Sequence, residues 1–393
     1  MQKTTEEQMN ASTQFCPNVE CMARGKVGQG NIVIHGKARP RYRCKTCGKT
    51  FSAKEGTMFA GLRKPTELIV IVVTLLAYGC PTQAIVHAFG LDERTGASWR
   101  DRAGAHCQQV HQAVVEQGKL DLVHVQADEI RVKGCGRIVW MGLAMMVSTR
   151  LFLAGVVSPT RDTALADRLL RQVRACAQSV RALLVCTDGW AAYPNSIRRA
   201  FREKVKETAG RGRACLRVWP DVFIATVIKR TAKKRVVEVI RRMTQGTLEQ
   251  AQKLLSQSQG GSVLNTAFIE RLNGTMRERL ASLTRRCRHA AHRLEALHSG
   301  MYLLGCTYNF CWPHHELSRT APDAVTGRRR WVPCTPAMAS GLTDHVWSVF
   351  ELLSYKMAPA PWSAPKRRGR PRIRPAPDPT VPKRPRGRPP KVA

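Results

Sequence analysis

Two apolar runs that end in aspartate decide the fold of this chain: Leu122-Val-His-Val-Gln-Ala-Asp128 and Leu183-Leu-Val-Cys-Thr-Asp-Gly-Trp190. Each run has the length and composition of a buried strand. Each strand is therefore expected to end at an acidic side chain, which is Asp128 in the first and Asp188 in the second. An aspartate that follows a strand and precedes glycine is often only a turn former, so each residue needs support from its neighbours.

The elements around these two runs predict an α/β domain. Residues 138–147 and 151–158 are continuously apolar, as expected of a hairpin in a covered sheet, and residues 161–177 have an amphipathic helical pattern. This order of strand, hairpin, helix and strand is typical of an RNase H-like domain. In that architecture the first and fourth strands end side by side, so we expect Asp128 and Asp188 to meet.

A third carboxylate lies on a predicted helix, Asn265-Thr-Ala-Phe-Ile-Glu-Arg-Leu-Asn-Gly-Thr-Met-Arg-Glu-Arg-Leu280. Glu270, Asn273 and Arg277 share one face of this helix, so Glu270 is expected to face the aspartates with Arg277 near a phosphate. The alternative is a solvated ion-pair partner, which is common for a glutamate beside an arginine. Glu129 is the nearest competitor of Asp128, but strand alternation predicts that the two cannot both point inward.

The three carboxylates predict metal-dependent cutting of nucleic acid. Two strand-end aspartates and a facing glutamate can hold two divalent cations, Mg²⁺ or Mn²⁺, which stabilise the attacking and leaving oxygens of an in-line phosphoryl displacement. Arg271 and Arg277 are the candidates for neutralising phosphate charge.

The charge of the chain indicates a polyanionic partner. Its 393 residues include 64 Lys and Arg against 28 Asp and Glu, a formal net charge of +36, and they suffice for more than one domain. The most apolar stretch, 68–77, is about half the roughly 20 residues that cross a bilayer, so we interpret it as a buried helix. The N-terminus lacks the apolar core of a secretory signal. We expect a cytoplasmic protein with no membrane contact.

Four of the 14 cysteines form a pattern typical of structural zinc. Cys16 and Cys21 are spaced C-x4-C, and Cys44 and Cys47 are spaced C-x2-C, so two tight knuckles supply four thiolates. Four unrelated buried thiols are the alternative, but the segment is too small to bury them otherwise. We predict a zinc ribbon over residues 12–56.

The following segment, 62–112, has the pattern of a helix-turn-helix. A short helix over 82–89 is followed by Gly90-Leu91 and by a third helix from Asp92, whose candidate DNA contacts are Ser98, Arg100 and Arg102. A plain helical hairpin is the alternative.

The C-terminal part divides into a predicted helical extension, 319–357, and a Pro-rich basic tail, 358–393, which we expect to be disordered. The tail contains the core of an AT-hook twice, Arg368-Gly369-Arg370-Pro371 and Arg386-Gly387-Arg388-Pro389. Glycine lets such a strip sit deep in the AT-rich minor groove while the arginines reach into its negative potential. A merely solvated basic tail is the alternative.

With these motifs in view, residues 14–355 resemble a DDE transposase of a bacterial insertion sequence, closest to the insertion-sequence-one type. The matching segments are Tyr42-Arg-Cys-Lys-Thr-Cys-Gly-Lys-Thr-Phe51, Ala127-Asp-Glu-Ile-Arg131, Thr187-Asp-Gly-Trp-Ala-Ala-Tyr-Pro194 and Ile269-Glu-Arg-Leu-Asn-Gly-Thr-Met-Arg-Glu-Arg-Leu280. The resemblance implies that Asp128, Asp188 and Glu270 bind two Mg²⁺ in a catalytic domain over 118–318. It also implies that the ribbon and helix-turn-helix bind the terminal inverted repeats of the element.

The implied activity is strand cleavage at the element end followed by transfer of the freed 3′-OH to double-stranded target DNA. Because two ends must be joined, we expect a homo-oligomer on DNA, associated with the bacterial nucleoid. An inserted strand and helix segment, about 220–262, and the AT-hook tail depart from the shortest relatives. Two alternatives stay open: a catalytically silent DNA-binding protein or regulator, and a nuclease of the same fold that cuts without joining.

Overall fold

The computed structural model describes residues 10–36, 41–134, 137–178, 181–205, 214–233, 235–283, 293–322 and 327–364. Both AT-hook cores and almost all of the tail that the sequence predicts to be disordered lie outside these ranges. In the described part the protein is an α/β protein with more than one folded unit, a mixed sheet and ten α-helices. Among those helices, none has the length and apolarity needed to span a membrane.

The N-terminal unit is a three-stranded antiparallel sheet of β1 (Ile32–Gly36), β2 (Arg41–Cys44) and β3 (Thr50–Ser52). Its hydrophobic core is small and includes the cysteines themselves, together with Tyr42 and Phe51. Gly48 has φ 71°, and its N–H donates to the Cys44 carbonyl at 2.8 Å. This left-handed turn, which favours glycine, brings Cys47 back beside Cys44.

Three helices follow: α1 (Thr66–Ala77), α2 (Thr82–Phe89) and α3 (Glu93–His111). The apolar stretch 68–77 is helical within α1, as predicted, but it is buried on one face only: Ile69 and Val72 are fully buried, whereas Ile71 is 48% exposed. Gly90 ends α2 in the left-handed conformation, and the Asp92 side chain caps α3 by accepting from the Arg94 N–H at 2.8 Å.

The central sheet has six strands in the order β11-β10-β7-β4-β5-β6. The strands that follow β3 are β4 (His124–Lys133), β5 (Ile138–Met146), β6 (Phe152–Ser158), β7 (Leu183–Thr187), β8 (Arg202–Val205), β9 (Cys215–Val218), β10 (Val222–Ala232) and β11 (Arg235–Gln245). β7 is parallel to β4 and to β10, whereas the other neighbouring pairs of this sheet are antiparallel. The exposed pair β8 and β9 forms a separate hairpin.

Both faces of this sheet are covered, which explains the continuously apolar strands. Leu183 and Val185 of β7 face the main hydrophobic core, whereas Leu184 and Cys186 face a second, smaller core. Since side chains alternate along a strand, a strand covered on both faces carries apolar residues at every position.

The remaining long helices cover this sheet and are α4 (Thr163–Cys176), α5 (Ala192–Ala200), α6 (Leu248–Gln257), α7 (Ala267–Arg279) and α8 (Leu294–Cys306). α6 covers the second core, and α4 and α8 pack against the main core. A Cβ at Gly104 of α3 would collide with the backbone of Ser299 in α8. Glycine therefore permits the close crossing that joins the N-terminal helices to the sheet.

Two predictions about the elements are wrong. Asp128 does not end its strand, because β4 continues to Lys133 along the antiparallel partner β5. Pairing of β4 with β7 stops at Ala127 opposite Thr187, so Asp128 lies at the first residue where β4 leaves its parallel neighbour.

The extension 319–357 is also not simply helical. It begins with an antiparallel pair, β12 (Arg319–Pro322) and β13 (Arg329–Val332), and continues with two short helices, α9 (Pro336–Ala339) and α10 (Val349–Ser354). Pro336 begins α9, where proline is tolerated because the first N–H groups of a helix need no partner within it.

Candidate functional site

Three carboxylates converge where β4 and β7 separate. Ligand oxygens of Asp128, Glu129 and Asp188 all lie within 4.8 Å of one another. Glu270 lies outside this tight group but lines the same cleft, which has a volume of about 460 Å³. The structure thus brings all three predicted carboxylates to one cleft and adds Glu129 to them.

Asp128 is held by both of its oxygens. Its Oδ1 accepts from the backbone N–H of Glu129 at 2.8 Å, and its Oδ2 accepts from Nδ2 of Asn273 at 2.8 Å. Asn273 is 1% exposed and lies on α7, one turn after Glu270. The helix that carries the glutamate therefore also orients the first aspartate.

Gln126, which the sequence analysis missed, attaches β4 to the start of α7. Its Oε1 accepts from the backbone N–H groups of Phe268 and Ile269, both at 3.0 Å, and its Nε2 donates to the Asn265 carbonyl at 2.9 Å. The first N–H groups of a helix have no partner within the helix, so a side chain from the sheet satisfies them here. A signal was present in the sequence: Gln126 is a polar residue inside an apolar strand, two residues before Asp128 and on the same face.

Asp188 sits in a turn directly after β7. Its Oδ1 accepts from the backbone N–H of Trp190 at 3.0 Å, and its Oδ2 accepts from Nη2 of Arg161 at 3.2 Å. This side chain is therefore both the turn former that its sequence suggests and a lining residue of the cleft.

Glu270 lies in the first turn of α7, where the helix dipole favours a negative charge. Its Oε1 accepts from Oγ1 of Thr266 at 2.6 Å and forms an ion pair with Nζ of Lys229 on β10. Its side chain is 44% exposed. The contact with Lys229 directs its carboxylate toward β10, whereas Asp128 and Asp188 lie where β4 leaves β7.

The prediction that Asp128 and Glu129 cannot both point inward is wrong, because their ligand oxygens lie within 4.8 Å of each other and of that of Asp188. Oε2 of Glu129 accepts from Nη2 of Arg161 at 3.0 Å, and the Glu129 side chain is 2% exposed. Asp128 and Glu129 both follow Ala127, the last residue of β4 that pairs with β7, so both can reach Asp188 around the open edge. The alternation of side chains along a strand did not predict that both residues reach Asp188.

Burial, together with the crowding of negative charge, raises the pKa values of two carboxyl groups in this cluster. Burial, together with the nearby charges of Asp188 and Glu270, raises the pKa of Asp128 to about 6, although the Glu129 N–H opposes the shift. Burial and the charge of Asp188 raise the pKa of Glu129 to about 7, opposed by the Tyr193 hydroxyl and Arg161. A bound divalent cation would reverse this electrostatic preference. The donor set therefore suits a hard cation with oxygen ligands, and this site could bind metal.

The four N-terminal cysteines form a second cluster. Sγ of Cys16 lies 3.6 Å from that of Cys47, and Sγ of Cys21 lies 3.9 Å from that of Cys44. Tetrahedral zinc with Zn–S bonds of about 2.3 Å requires S–S distances of about 3.8 Å, so the four thiols fit zinc. Burial raises the pKa of Cys16 and Cys21. Although burial also raises that of Cys47, the Lys49 N–H and the Asn18 side chain lower it to about 7.

The three candidate DNA contacts on α3 differ in whether other parts of the protein already bind their side chains. Ser98 is exposed, and Arg100 pairs with the adjacent Asp101 at 2.8 Å. Arg102 instead donates from Nε to the Met58 carbonyl at 2.7 Å and from Nη2 to the Ala60 carbonyl. Arg102 therefore stabilises the loop before α1, and these bonds occupy donors that the sequence assigned to DNA.

The two predicted phosphate-binding arginines lie on opposite sides of α7. Arg277 is close enough to lower the pKa of Asp128. Arg271 is exposed and lines a neighbouring cleft together with Arg150 and Arg279. Of these two arginines, Arg277 is therefore the one whose charge is felt by Asp128, although neither lines the carboxylate cleft.

A comparison of the chain with known protein families finds no matching family model. A comparison with curated proteins finds no match either. The chemistry of the cleft has to be inferred from its own residues.

Proposed function

We propose that this protein is a DDE-type DNA transposase, which binds the terminal inverted repeats of an element, cleaves a DNA strand and joins its 3′ end to target DNA. One observation carries the proposal: aspartates from two neighbouring parallel strands and a glutamate from a helix line one cleft. A basic chain of net charge +36 supplies the affinity for DNA.

The sheet supports an RNase H-like catalytic domain. Its strands β6-β5-β4-β7-β10 follow the order expected for that architecture, with β5 antiparallel to both neighbours and β11 added at the edge. The segment between Asp188 and Glu270 thus supplies the fifth strand of the sheet and the helix that covers its second face.

In this proposal Asp128, Asp188 and Glu270 hold two Mg²⁺ or Mn²⁺. When bound, these ions activate the attacking water or 3′-OH and stabilise the leaving oxygen of the phosphodiester. Asn273 and the Trp190 N–H orient the two aspartates, and Thr266 orients Glu270. Lys229 and Arg277 are placed to neutralise the charge of the scissile phosphate.

The N-terminal units would recognise the element ends. The four cysteines and the strands β1–β3 support a zinc ribbon, and α2, Gly90 and α3 support a helix-turn-helix that presents Ser98 and Arg100. We propose that the protein works as a homo-oligomer on nucleoid DNA. The AT-hooks of the tail would add contacts to AT-rich minor grooves.

The first prediction tests the metal centre. The Asp188→Ala variant should lose strand cleavage of DNA that carries the inverted repeats flanking the gene, by about 1,000-fold or more in the presence of Mg²⁺, because a metal ligand is removed. Gel analysis of a labelled strand measures it. The matched control is Asp221→Ala, which removes a carboxylate from outside the cleft, and equal cleavage by wild type and Asp188→Ala would refute the proposal.

The ion pair of Glu270 with Lys229 favours a second candidate, a catalytically silent DNA-binding protein derived from a transposase. That protein would bind the repeats without cutting them at any concentration of Mg²⁺ or Mn²⁺. A nuclease of the same fold would cut but give no joined product. An assay for strand transfer into a supercoiled plasmid separates these outcomes.

A further inference from the structure

Arg161 is held over the carboxylate cleft by two acids and two aromatic rings. Its Nη2 donates to Oε2 of Glu129 at 3.0 Å and to Oδ2 of Asp188 at 3.2 Å. Its guanidinium carbon lies 4.6 Å from the ring centroid of Trp190 and 5.2 Å from that of Trp140. Two indole faces thus fix the guanidinium in place, unlike a solvated surface arginine.

The two carboxylates that Arg161 contacts differ in burial. The Glu129 side chain is 2% exposed, so its charge is almost entirely removed from water. The Asp188 side chain is 37% exposed. Leaving a buried carboxylate without its partner is far more costly than returning an exposed one to water or to a cation. The contact with Glu129 is therefore the permanent one, and the contact with Asp188 is replaceable.

The charge balance of the cleft also indicates that a cation can replace Arg161 at Asp188. Four carboxylates line or adjoin the cleft, and two cations contact them directly. The acids are Asp128, Glu129, Asp188 and Glu270, and the cations are Arg161 and Lys229. With every group ionised, two negative charges remain, which match one divalent ion. If Arg161 leaves Asp188 but keeps Glu129, and Lys229 leaves Glu270, the charges of Asp128, Asp188 and Glu270 become available to divalent ions.

We infer that Arg161 is a positioning residue that exchanges partners: it neutralises Asp188 in the metal-free protein and turns to a DNA phosphate once a divalent cation binds Asp188, while Glu129 holds it throughout. This inference rests on the proposed function. The guanidinium suits the role because its planar fork has five N–H donors, so it can keep Glu129 and still offer donors to a phosphate. Glu129 is then the anchor of this arginine.

The test is isothermal titration of Mn²⁺ into the zinc-loaded full chain. Because Arg161 competes with the cation, Arg161→Gln should bind Mn²⁺ about tenfold more tightly than wild type. The matched control is Arg199→Gln, which removes the same charge from an arginine that pairs with Asp167 at 2.8 Å and touches no carboxylate of the cleft. Its affinity should stay within about twofold of wild type, because exposed charges at a distance are screened.

The same variants separate this role from a structural one. Arg161→Gln should cleave DNA more slowly while it binds Mn²⁺ more tightly, a combination that a general loss of folding does not produce. Arg161→Lys keeps the charge without the planar fork, so both its Mn²⁺ affinity and its cleavage rate should lie between those of wild type and Arg161→Gln. If Arg161→Gln does not fold, the Mn²⁺ affinity and the cleavage rate of Arg161→Lys still test the inference.

The titrations distinguish failure of this inference from failure of the proposed function. Unchanged or weaker Mn²⁺ affinity in a folded Arg161→Gln or Arg161→Lys, with binding still abolished by Asp188→Asn, would overturn the exchange and leave the metal-dependent function intact. The absence of Mn²⁺ binding at the cleft in wild type and in the Arg161 variants would overturn the proposed function itself. Tighter binding in Arg161→Gln together with slower cleavage supports both.

Discussion

Asn273 determines the orientation of Asp128 although it carries no charge. Oδ2 of Asp128 accepts a hydrogen bond from Nδ2 of Asn273, and Oδ1 of Asp128 accepts one from the Glu129 N–H. Only part of the Asp128 carboxylate therefore remains free. Since Asp128 also lines the cleft, these two hydrogen bonds limit how its carboxylate can meet a cation there. Such supporting hydrogen bonds matter nearly as much to a metal site as the ligands themselves.

The second prediction concerns this contact. Asn273→Ala should weaken Mn²⁺ binding about 10-fold to 100-fold, the range found for supporting residues of metal ligands, and should slow cleavage correspondingly. Titration calorimetry measures the first effect and a gel assay the second. The control is Asn195→Ala, an exposed asparagine on α5 that contacts only Arg198 in the described part of the chain. Unchanged metal affinity in a folded Asn273→Ala would mean that Asp128 is not oriented by α7.

At the scale of elements, the local sequence predicted strands and helices better than their ends. Local sequence was sufficient to predict the strands β5, β6 and β7, which are apolar runs, and the break after α2, which contains Gly90. Burial and backbone conformation directly affect which residues occur in such segments. The length of β4 depends on its pairing with β5. The local sequence of β4 does not encode that pairing, so it could not predict where the strand ends. The position of Glu129 and its contact with Arg161 depend on where β4 and β7 separate, so local sequence could not predict that contact.

The third prediction concerns the strands β1–β3. Their core consists largely of the four cysteines with Tyr42 and Phe51, so we expect metal ligation to supply most of the stability. Chelation of zinc, or Cys44→Ser, should unfold these strands and leave the larger core intact. Hydrogen exchange should show lost protection in 32–52 only. Cys215→Ser, which changes an exposed thiol, is the control. Protection that survives chelation would show that the unit does not depend on metal.

At the scale of the whole molecule, three buried histidines connect the parts of the fold. Burial lowers the pKa of His106 and His111, both on α3, to about 4. Burial and the charge of Arg150 lower that of His124, at the start of β4, to about 3. His111 hydrogen-bonds the Leu153 carbonyl at 2.8 Å. Nδ1 of His124 lies 3.1 Å from the Ser258 hydroxyl, so the loop after α6 packs on the sheet.

The fourth prediction follows from these pKa values. Above about pH 6.5 all three histidines are neutral in both states and do not alter the stability. As the pH falls below 6.5, the unfolded chain binds protons that the folded protein resists. Each histidine then lowers the free energy of unfolding by about 1.4 kcal/mol per pH unit until its folded pKa is reached, or about 4 kcal/mol per unit together.

His124→Gln isolates one third of that effect, because glutamine keeps a hydrogen-bonding group near Ser258 but does not titrate. Urea unfolding of wild type and variant between pH 4 and 7 measures it. The variant should lose stability on acidification less steeply than wild type, by about 1.4 kcal/mol per unit, while His315→Gln, which changes an exposed histidine, should follow the wild-type curve. Parallel curves for wild type and His124→Gln would mean that His124 is protonated in the folded protein and that the loop after α6 opens to admit water.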